Sequence, residues 1–362
     1  MIIGIDGNEA NVKTRVGVGQ YAYNVLVNLY KLDNKNEYYI YLKDKPLIDM
    51  PPTTNRWHYI VFGPKQLWTK VALPIRLFTQ KIKLNLFFSP SHYSPYPCPC
   101  PTIPTIHDLG YLMFQDQFNK KDLYQLTNWT KKSILRANYI VAVSEFTKNE
   151  IVKTYNIDPK RIFVAYNGVG QPAKVDSRIS QKILNKFKIK NKFFLYIGTL
   201  KPNKNIPFII KAFAKFNNPD YNLVIAGKKG WLYKDIFATV KNLKIENRVI
   251  FTDFINEIEK WTFYKNATSL VIPSLYEGFG IPAIEAQKIG TPVIASNIAP
   301  YKEVIGKSGI LVNPNNIDEL VRAFNTIIDS KNRDKYIKLG LKQTKIFTWE
   351  NTAKSIIKAF NT

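Results

Sequence analysis

The sequence predicts an α/β fold made of two doubly wound domains, each built on a parallel sheet, with a cleft between them. Short apolar runs of strand length alternate with segments of helical period along most of the 362 residues. The alternation stops once, in a polar stretch from Gln171 to about Gln181, and then restarts. A chain of this length also exceeds what one core usually organises, so two domains of about 150–200 residues are expected.

Seven strands are predicted before the polar stretch. Between them, Gln20–Tyr30 and Ser144–Tyr155 have the apolar spacing of helices. Ser144 directly follows a strand and is a favoured N-cap residue. The predicted strands are Ile2–Ile5, Tyr38–Tyr41, Tyr59–Phe62, Leu86–Phe88, Thr102–Ile106, Tyr139–Val143 and Ile162–Ala165.

Six further strands are predicted after the polar stretch, with a helix over Ile206–Phe216. A last helix, Glu350–Phe360, has one apolar stripe and could pack back on either domain. We therefore predict an N-terminal domain over residues 1–172, a C-terminal domain over 173–346 and a C-terminal helix in 347–362 that can return to the N-terminal domain. The six strands are Phe193–Ile197, Leu223–Ala226, Val249–Thr252, Leu270–Ile272, Val293–Ala295 and Ile310–Val312.

The composition is that of a globular protein, with 45% hydrophobic and 22% charged residues. No stretch reaches the roughly 18 uninterrupted apolar residues of a membrane span, and the N-terminus turns acidic too early for a signal peptide. Cys98 and Cys100 stand one residue apart with no further cysteine, which is a poor basis for a disulfide framework or a metal site. A reducing, cytoplasmic location is therefore expected.

The formal net charge of +25 has more than one explanation. Two segments, Pro64–Lys83 and Asn119–Arg136, mix basic with apolar and aromatic residues, as in helices that contact anionic lipid on the inner face of a membrane. Solvated helix faces, or a coding bias towards lysine along the whole chain, would give the same composition. Nucleic acid is not expected as a partner, because neither segment contains a recognised binding motif.

The segment Glu277-Gly-Phe-Gly-Ile-Pro-Ala-Ile-Glu285 is the most informative in the chain. Pro282 suits the first turn of a helix, since its missing N–H would be unpaired there in any case. Gly278 and Gly280 would let backbone N–H groups approach an anion at the positive end of the helix dipole. The pattern predicts a site for a ligand that is both phosphorylated and rich in hydroxyl groups. An ordinary strand–turn–helix with two solvated glutamates is the alternative.

Three other candidates also follow predicted strands, where ligands bind in such folds. Gly17 and Gly19 open a helix and could cradle a phosphate or a sugar, although the spacing is not that of a dinucleotide site. His107 ends the fifth strand and either meets a substrate or is a structural histidine. Lys204 lies in a strand-to-helix loop, a natural position for a phosphate partner.

Two motifs are missing. No Asp-x-Asp pair occurs, so a carboxylate pair that grips a metal and a diphosphate has no support. No Gly-x-x-x-x-Gly-Lys-Ser/Thr occurs, which excludes a P-loop nucleotidase. No metal or cofactor is therefore expected.

Taken together, these segments resemble the retaining GT-B glycosyltransferases of family 4, group 1, over nearly the whole chain. The Glu-x7-Glu element ending at Glu285 and the Lys-Asn pair at Lys204 are its most specific features. Gly-Thr-Leu-x-Pro-x-Lys-Asn resembles the mannosyltransferase-like members. The segments that carry the resemblance are Gly17-Val-Gly-Gln-Tyr21, Ile106-His-Asp-Leu109, Val143-Ser-Glu-Phe-Thr147, Tyr166-Asn-Gly-Val169, Gly198-Thr-Leu200 with Lys204-Asn205, and Pro273 to Glu285.

The resemblance implies two Rossmann-like domains and a role for each site residue. Glu285 would hold the donor ribose, and Glu277 would lie beside the transferred sugar. Lys204 would neutralise the leaving diphosphate, as a metal does elsewhere. His107 would contact the transferred sugar. The remaining donor-side residues would be Gly17 and Gly19 across the cleft, Gly278, and the backbone N–H groups around Phe279 and Gly280, which would take the distal phosphate.

One position departs from the family pattern. Many relatives have an arginine soon after the glycine of the phosphate loop, whereas this chain has Thr199. The expected function is transfer of a hexose, with a preference for mannose, from a nucleoside-diphosphate sugar to a glycan or lipid-linked hydroxyl acceptor, without a metal. A sugar-nucleotide epimerase or hydrolase on the same fold, and a non-catalytic nucleotide-sugar-binding protein of the membrane surface, are the alternatives.

Overall fold

The computed structural model describes residues 1–230 and 232–362, and its chain divides into two compact units. Each unit contains one parallel β-sheet flanked by helices. Unit 1 consists of Met1–Met113, Asn119–Gly168 and Thr348–Thr362, and unit 2 consists of Phe114–Phe118 and Val169–Phe347. The predicted α/β class with two doubly wound, parallel sheets is confirmed.

The sheet of unit 1 has seven strands in the order β3-β2-β1-β4-β5-β6-β7. All neighbouring strands are parallel. The strands are β1 Ile2–Asp6, β2 Glu37–Leu42, β3 Trp57–Val61, β4 Leu86–Ser89, β5 Thr102–Ile106, β6 Ile140–Ala142 and β7 Ile162–Val164. The helices are α1 Val18–Leu32, α2 Ala72–Thr79, α3 Lys120–Arg136, α4 Glu145–Tyr155 and, from the C-terminal segment, α13 Trp349–Phe360.

The sheet of unit 2 has six strands in the order β10-β9-β8-β11-β12-β13, again all parallel. The strands are β8 Lys192–Ile197, β9 Tyr221–Ala226, β10 Val249–Asp253, β11 Ser269–Ile272, β12 Val293–Ser296 and β13 Ile310–Val312. The helices are α5 Ser177–Lys186, α6 Ile206–Phe216, α7 Lys234–Asn242, α8 Glu257–Asn266, α9 Ile281–Lys288, α10 Ala299–Val304, α11 Ile317–Ile328 and α12 Ser330–Gln343.

Apolar side chains fill both faces of the second sheet, which is why its strands read as continuous apolar runs. Phe194 and Tyr196 of β8 belong to one core cluster, whereas Phe193 and Leu195 belong to the cluster on the opposite face. Successive side chains of a strand alternate between faces, so a strand covered on both sides must be apolar at every position. This pattern made the strands predictable.

All thirteen predicted strands are present; two have the predicted bounds, and the ends of the others differ by at most two residues. The predicted N-cap is also confirmed, since the Ser144 side chain accepts a hydrogen bond of 3.0 Å from the Thr147 N–H. The helix after Gly17 begins at Val18, two residues earlier than its apolar period indicates. Apolar spacing identifies the buried face of a helix and not its first turn, so such a difference is expected.

Helix α13 completes unit 1. Its buried stripe includes Ile356 and Phe360, and the Phe360 ring lies 5.4 Å from that of Phe88, centroid to centroid. The Thr352 hydroxyl donates a hydrogen bond of 2.5 Å to the Tyr166 carbonyl. Gly168 packs so closely on this segment that a Cβ there would lie 2.2 Å from the Trp349 nitrogen.

Within the described ranges, no helix combines the length and the apolar character that crossing a bilayer requires.

Candidate functional site

The site in unit 2 lies at the point of the sheet where the strand order reverses direction. Strands β8 and β11 are neighbours at the centre of the sheet, and β9 and β12 lie on opposite sides of them. The loops that follow β8 and β11 therefore diverge, which opens a crevice at the carboxyl ends of these two strands. Thr199 and Lys204 come from the first loop, and Glu277 comes from the second. A backbone hydrogen bond of 2.8 Å from Leu275 to the Asn203 carbonyl joins the two loops.

Lys204 and Glu277 form an ion pair across this crevice, and each side chain is 20% exposed. The hydrogen bonds described for Glu277 all reach Oε1: from Lys204, from the Ser274 hydroxyl at 3.0 Å and from the Tyr301 hydroxyl at 3.4 Å. These three donors fix the carboxylate while Oε2 keeps its capacity to accept a hydrogen bond. Burial and the nearby Glu277 raise the pKa of Tyr301, so its hydroxyl stays a donor.

The N-terminus of α9 lies next to this pair in the chain. Gly280 has φ +96°, and a Cβ there would lie 2.5 Å from Tyr301 Cε1, so only glycine fits. No side chain caps the helix, and Pro282 stands in its first turn, as predicted. The Phe279 ring is buried and lies 5.5 Å from that of Phe347, so residue 279 faces the crevice only through its backbone. The positive end of the helix dipole at this N-terminus favours an anion.

Glu285 belongs to a second network, formed with helix α8. One carboxylate oxygen accepts a hydrogen bond of 2.7 Å from Lys260 Nζ, and the other accepts one of 3.0 Å from the Tyr264 hydroxyl. Burial by itself would lower the pKa of Lys260, but its ion pairs with Glu285 and Glu257 outweigh burial and raise that pKa. The Glu285 carboxylate is thus held in one orientation, with unused lone pairs on both oxygens.

Thr199, which stands where many relatives have an arginine, is exposed. Its carbonyl accepts a hydrogen bond of 3.3 Å from the Tyr196 hydroxyl. Other cations lie alongside this loop. Leu200 forms a β-bridge with Lys229, and the Leu200 N–H donates a hydrogen bond of 2.9 Å to the Lys228 carbonyl. Lys228 and Lys229, in the loop after β9, thus adjoin this loop through their backbones, while Lys229 Nζ lies 4.0 Å from Asp253 Oδ1.

In unit 1, Gly17 and Gly19 shape the start of α1. Gly17 has φ +48°, and a Cβ there would meet no atom within 4 Å, so the space above it is open. A Cβ at Gly19 would lie 3.0 Å from the Glu9 carbonyl oxygen, which shows how tightly the loop after β1 folds over the helix. Two residues further on, the buried Tyr21 ring packs edge-on against His107, with centroids 4.7 Å apart.

His107 is paired with a second histidine that the sequence analysis missed. The His107 backbone N–H donates a hydrogen bond of 3.1 Å to His92 Nε2, and the two imidazole rings stack with centroids 5.5 Å apart. His107 Nε2 lies 3.2 Å from the Pro90 carbonyl oxygen, which can only accept, so Nε2 carries the proton. His107 Nδ1 is then a hydrogen-bond acceptor. Burial lowers the pKa of His107 to about 3 and that of His92 to about 4, so both rings are neutral near pH 7.

This neutrality predicts a loss of stability at mildly acidic pH. The unfolded chain binds protons on these histidines below about pH 6.5, whereas the folded chain does not until far lower pH. The free energy of unfolding should therefore fall as pH drops from 7 to 5.5, by about 1 kcal/mol per pH unit for each histidine. Urea denaturation across this range measures the slope. His107→Gln keeps the backbone bond to His92 and should remove about half of that slope; an unchanged slope would contradict the prediction.

The structure thus joins Lys204 to Glu277 directly. Glu285 lies on α9, the helix that follows the Glu277 loop, and belongs to a separate hydrogen-bond network. Sequence reasoning missed the residues that orient these groups. Only two of them left a trace in the sequence, because a spacing of four places Lys260 and Tyr264 on one face of a helix. The residues it missed are His92, Lys260, Tyr264, Ser274 and Tyr301.

Comparison with known proteins gives two family matches that together cover most of the chain. Residues 17–170 match the family described as "Glycosyltransferase Family 4", and residues 178–343 match "Glycosyl transferases group 1". The chain is 27% identical over 281 residues to the O-antigen chain mannosyltransferase B of Escherichia coli, a match that covers 76% of this chain and 74% of that protein. It is 35% identical over 210 residues to the O-antigen chain mannosyltransferase RfbU of Salmonella typhimurium, covering 58% and 56%.

A solved structure is similar over the full length. The crystal structure of Anabaena Alr3699/HepE in complex with UDP and glucose superposes with a TM-score of 0.75 at 16% identity. The match covers 100% of this chain and 99% of that one. At this identity the similarity concerns the fold.

Proposed function

The chain belongs to the group 1 glycosyltransferases of family 4, with a GT-B fold of two Rossmann-like units, and on that premise we propose that it transfers a hexose from a nucleoside-diphosphate sugar to a hydroxyl acceptor with retention at the anomeric carbon. The observation that carries the proposal is the Lys204–Glu277 ion pair beside the uncapped N-terminus of α9. A cation and a helix start suit the diphosphate, and a carboxylate suits the hydroxyls of the sugar attached to it.

The proposed reaction is a front-face displacement. The bond between the anomeric carbon and the leaving phosphate oxygen breaks, and the acceptor oxygen bonds to that carbon on the same face. The acceptor proton passes to the departing diphosphate. Lys204 and the N–H groups at the start of α9 would stabilise the negative charge that develops on the leaving group. Glu277 would accept a hydrogen bond from the sugar through Oε2.

Glu285 would accept from the ribose hydroxyls with the lone pairs that Lys260 and Tyr264 leave unused. His107 offers a neutral ring with an acceptor nitrogen, which suits a sugar hydroxyl. Lys228 and Lys229 would supply the charge that an arginine at the Thr199 position gives to relatives. The backbone at Gly278, Phe279 and Gly280 would receive the distal phosphate.

We propose mannose as the sugar and a glycan or lipid-linked glycan as the acceptor. The relatives named above are O-antigen mannosyltransferases at 27% and 35% identity, whereas the neighbour that holds UDP and glucose is only 16% identical. Sugar preference follows the nearer sequences, because at 16% identity only the fold is comparable. Transfer would need no metal. Lys204 would supply the positive charge on the leaving diphosphate that a metal supplies elsewhere.

A panel of nucleotide sugars tests the donor assignment. We expect GDP-mannose to raise the melting temperature of the full chain more than UDP-glucose or UDP-N-acetylglucosamine, because a ligand that binds only the folded state stabilises it. Transfer to a mannose-containing acceptor in excess chelator should continue and give a product with the donor's anomeric configuration by NMR. Rapid conversion of the donor without acceptor, to free sugar or an epimer, would instead support a hydrolase or epimerase. Binding with no release of nucleoside diphosphate would indicate a non-catalytic protein.

A further inference from the structure

A basic cavity of about 420 Å³ opens on unit 1, apart from the residues assigned to the donor. It lies between the start of α2, the C-terminal turns of α3 and the loop after β4. Lys70, Lys132 and Arg136 line it together with Ser94, and its lining includes no aspartate or glutamate. Thr102, the first residue of β5, also lines it, whereas His107 follows the opposite end of that strand. The volume falls in the range of about 300–1,000 Å³ typical of small-ligand sites.

Two of the three cations, Lys70 and Arg136, have aromatic partners, and no ion pair is described for any of the three. The Arg136 guanidinium stacks 3.5 Å from the centroid of the Tyr96 ring, and Lys70 Nζ lies 4.6 Å from that of Trp129. Stacking orients a guanidinium while its N–H groups stay available at the edge. Burial and the charges of Lys132 and Arg136 lower the pKa of Lys70. A bound anion would relieve this repulsion.

The polar part of the lining contains a hydroxyl without a partner. Ser94 is 5% exposed, and its Oγ is buried with no hydrogen-bond partner within the described residues. The Ser94 backbone N–H donates a hydrogen bond of 3.0 Å to the hydroxyl of Ser133, a residue that also lines the cavity. A buried hydroxyl without a partner costs roughly 1–3 kcal/mol, so its presence here points to a ligand that accepts its proton.

We propose that this cavity binds the phosphate group of a phosphate ester. A phosphate offers several anionic oxygens in a tetrahedral arrangement, which matches three cations and a hydroxyl better than a single carboxylate does. The ester is either a phospholipid headgroup at a membrane surface or a soluble phosphorylated compound. The first source has support nearby, because exposed apolar residues continue from Lys70 along α2 as a stripe of Val71, Ile75 and Phe78.

Calorimetric titration of the full chain with inorganic phosphate and with glycerol phosphate tests the site. Lys132→Glu should weaken binding about tenfold or more, and Ser94→Ala several-fold, as expected for charged and neutral hydrogen bonds. Lys131→Glu is the matched control, because Lys131 is exposed on the same helix but does not line the cavity. Acetate at equal ionic strength controls for non-specific charge. Binding that survives Lys204→Ala is binding outside the donor site.

Vesicle sedimentation distinguishes the two sources. With a phospholipid headgroup, the chain should bind phosphatidylglycerol vesicles and not phosphatidylcholine vesicles, and Ile75→Glu should abolish vesicle binding while phosphate binding persists. With a soluble ester, phosphate binds and vesicles do not. Equal losses in Lys131→Glu and Lys132→Glu, or phosphate binding no stronger than acetate binding, would overturn the proposal. No sugar donor is present in these assays, so their result is independent of the proposed glycosyl transfer.

Discussion

Replacing Lys204 by alanine should lower kcat by about 100- to 1,000-fold and change the donor KM only several-fold, since its charge acts chiefly on the leaving diphosphate. Lys204 is the cation that the structure places at the switch point of unit 2, in contact with Glu277. Negative charge on the diphosphate grows as the sugar departs, so the lysine contributes more in the transition state than in the bound donor. Steady-state kinetics with the donor found by the thermal-shift panel measures both constants.

The control for this prediction is Lys211→Ala, an exposed lysine on α6 with no assigned role. It should behave as the unmodified chain. Lys204→Arg keeps the charge and should recover part of the turnover. If the ion pair were purely structural, Lys204→Ala would lower the melting temperature. The kcat per folded molecule would then stay within about threefold of the unmodified chain's, which corresponds to roughly 0.7 kcal/mol. That result would remove Lys204 from the mechanism.

Replacing Glu285 by glutamine should weaken nucleotide binding by about 10- to 100-fold, with a smaller effect on kcat. The substitution keeps the shape of the side chain but removes the negative charge, and charge-assisted hydrogen bonds contribute about 1.5–3 kcal/mol. Lys260 and Tyr264 would remain, and the amide could not accept from both while also accepting from a ribose. Calorimetry with the nucleoside diphosphate alone measures the effect without turnover.

Lys260 supplies a second arm for the same prediction. Lys260→Met should also weaken nucleotide binding, because Glu285 loses the partner that fixes its orientation. Glu257 is the matched control: it pairs with the same lysine at 3.0 Å but is 60% exposed, so Glu257→Gln should change the nucleotide Kd by less than about twofold. An unchanged Kd in both Glu285→Gln and Lys260→Met would place the ribose elsewhere.

The strands and the loops of the site could be predicted from the sequence for one physical reason. A parallel strand buried on both faces must be apolar throughout, and the residue after it opens a loop at the ligand-binding edge of the sheet. Lys204, Glu277 and His107 were found in this way. Their partners were not predictable, because Tyr301 and His92 reach them from loops and helices whose packing depends on the completed sheet. Similarly, nothing in the local pattern of Phe114–Phe118 indicates that it joins unit 2.

The division of the chain has a consequence for the order in which the protein folds during synthesis. Unit 1 includes Thr348–Thr362, whose helix α13 covers part of α1 and β4, whereas unit 2 ends at Phe347. On the ribosome, the second unit can complete its core while the first still exposes the apolar surface that α13 will cover. The N-terminal unit is therefore the last to be finished, and a nascent chain that has passed Gly168 still depends on residues more than 170 positions ahead for its stability.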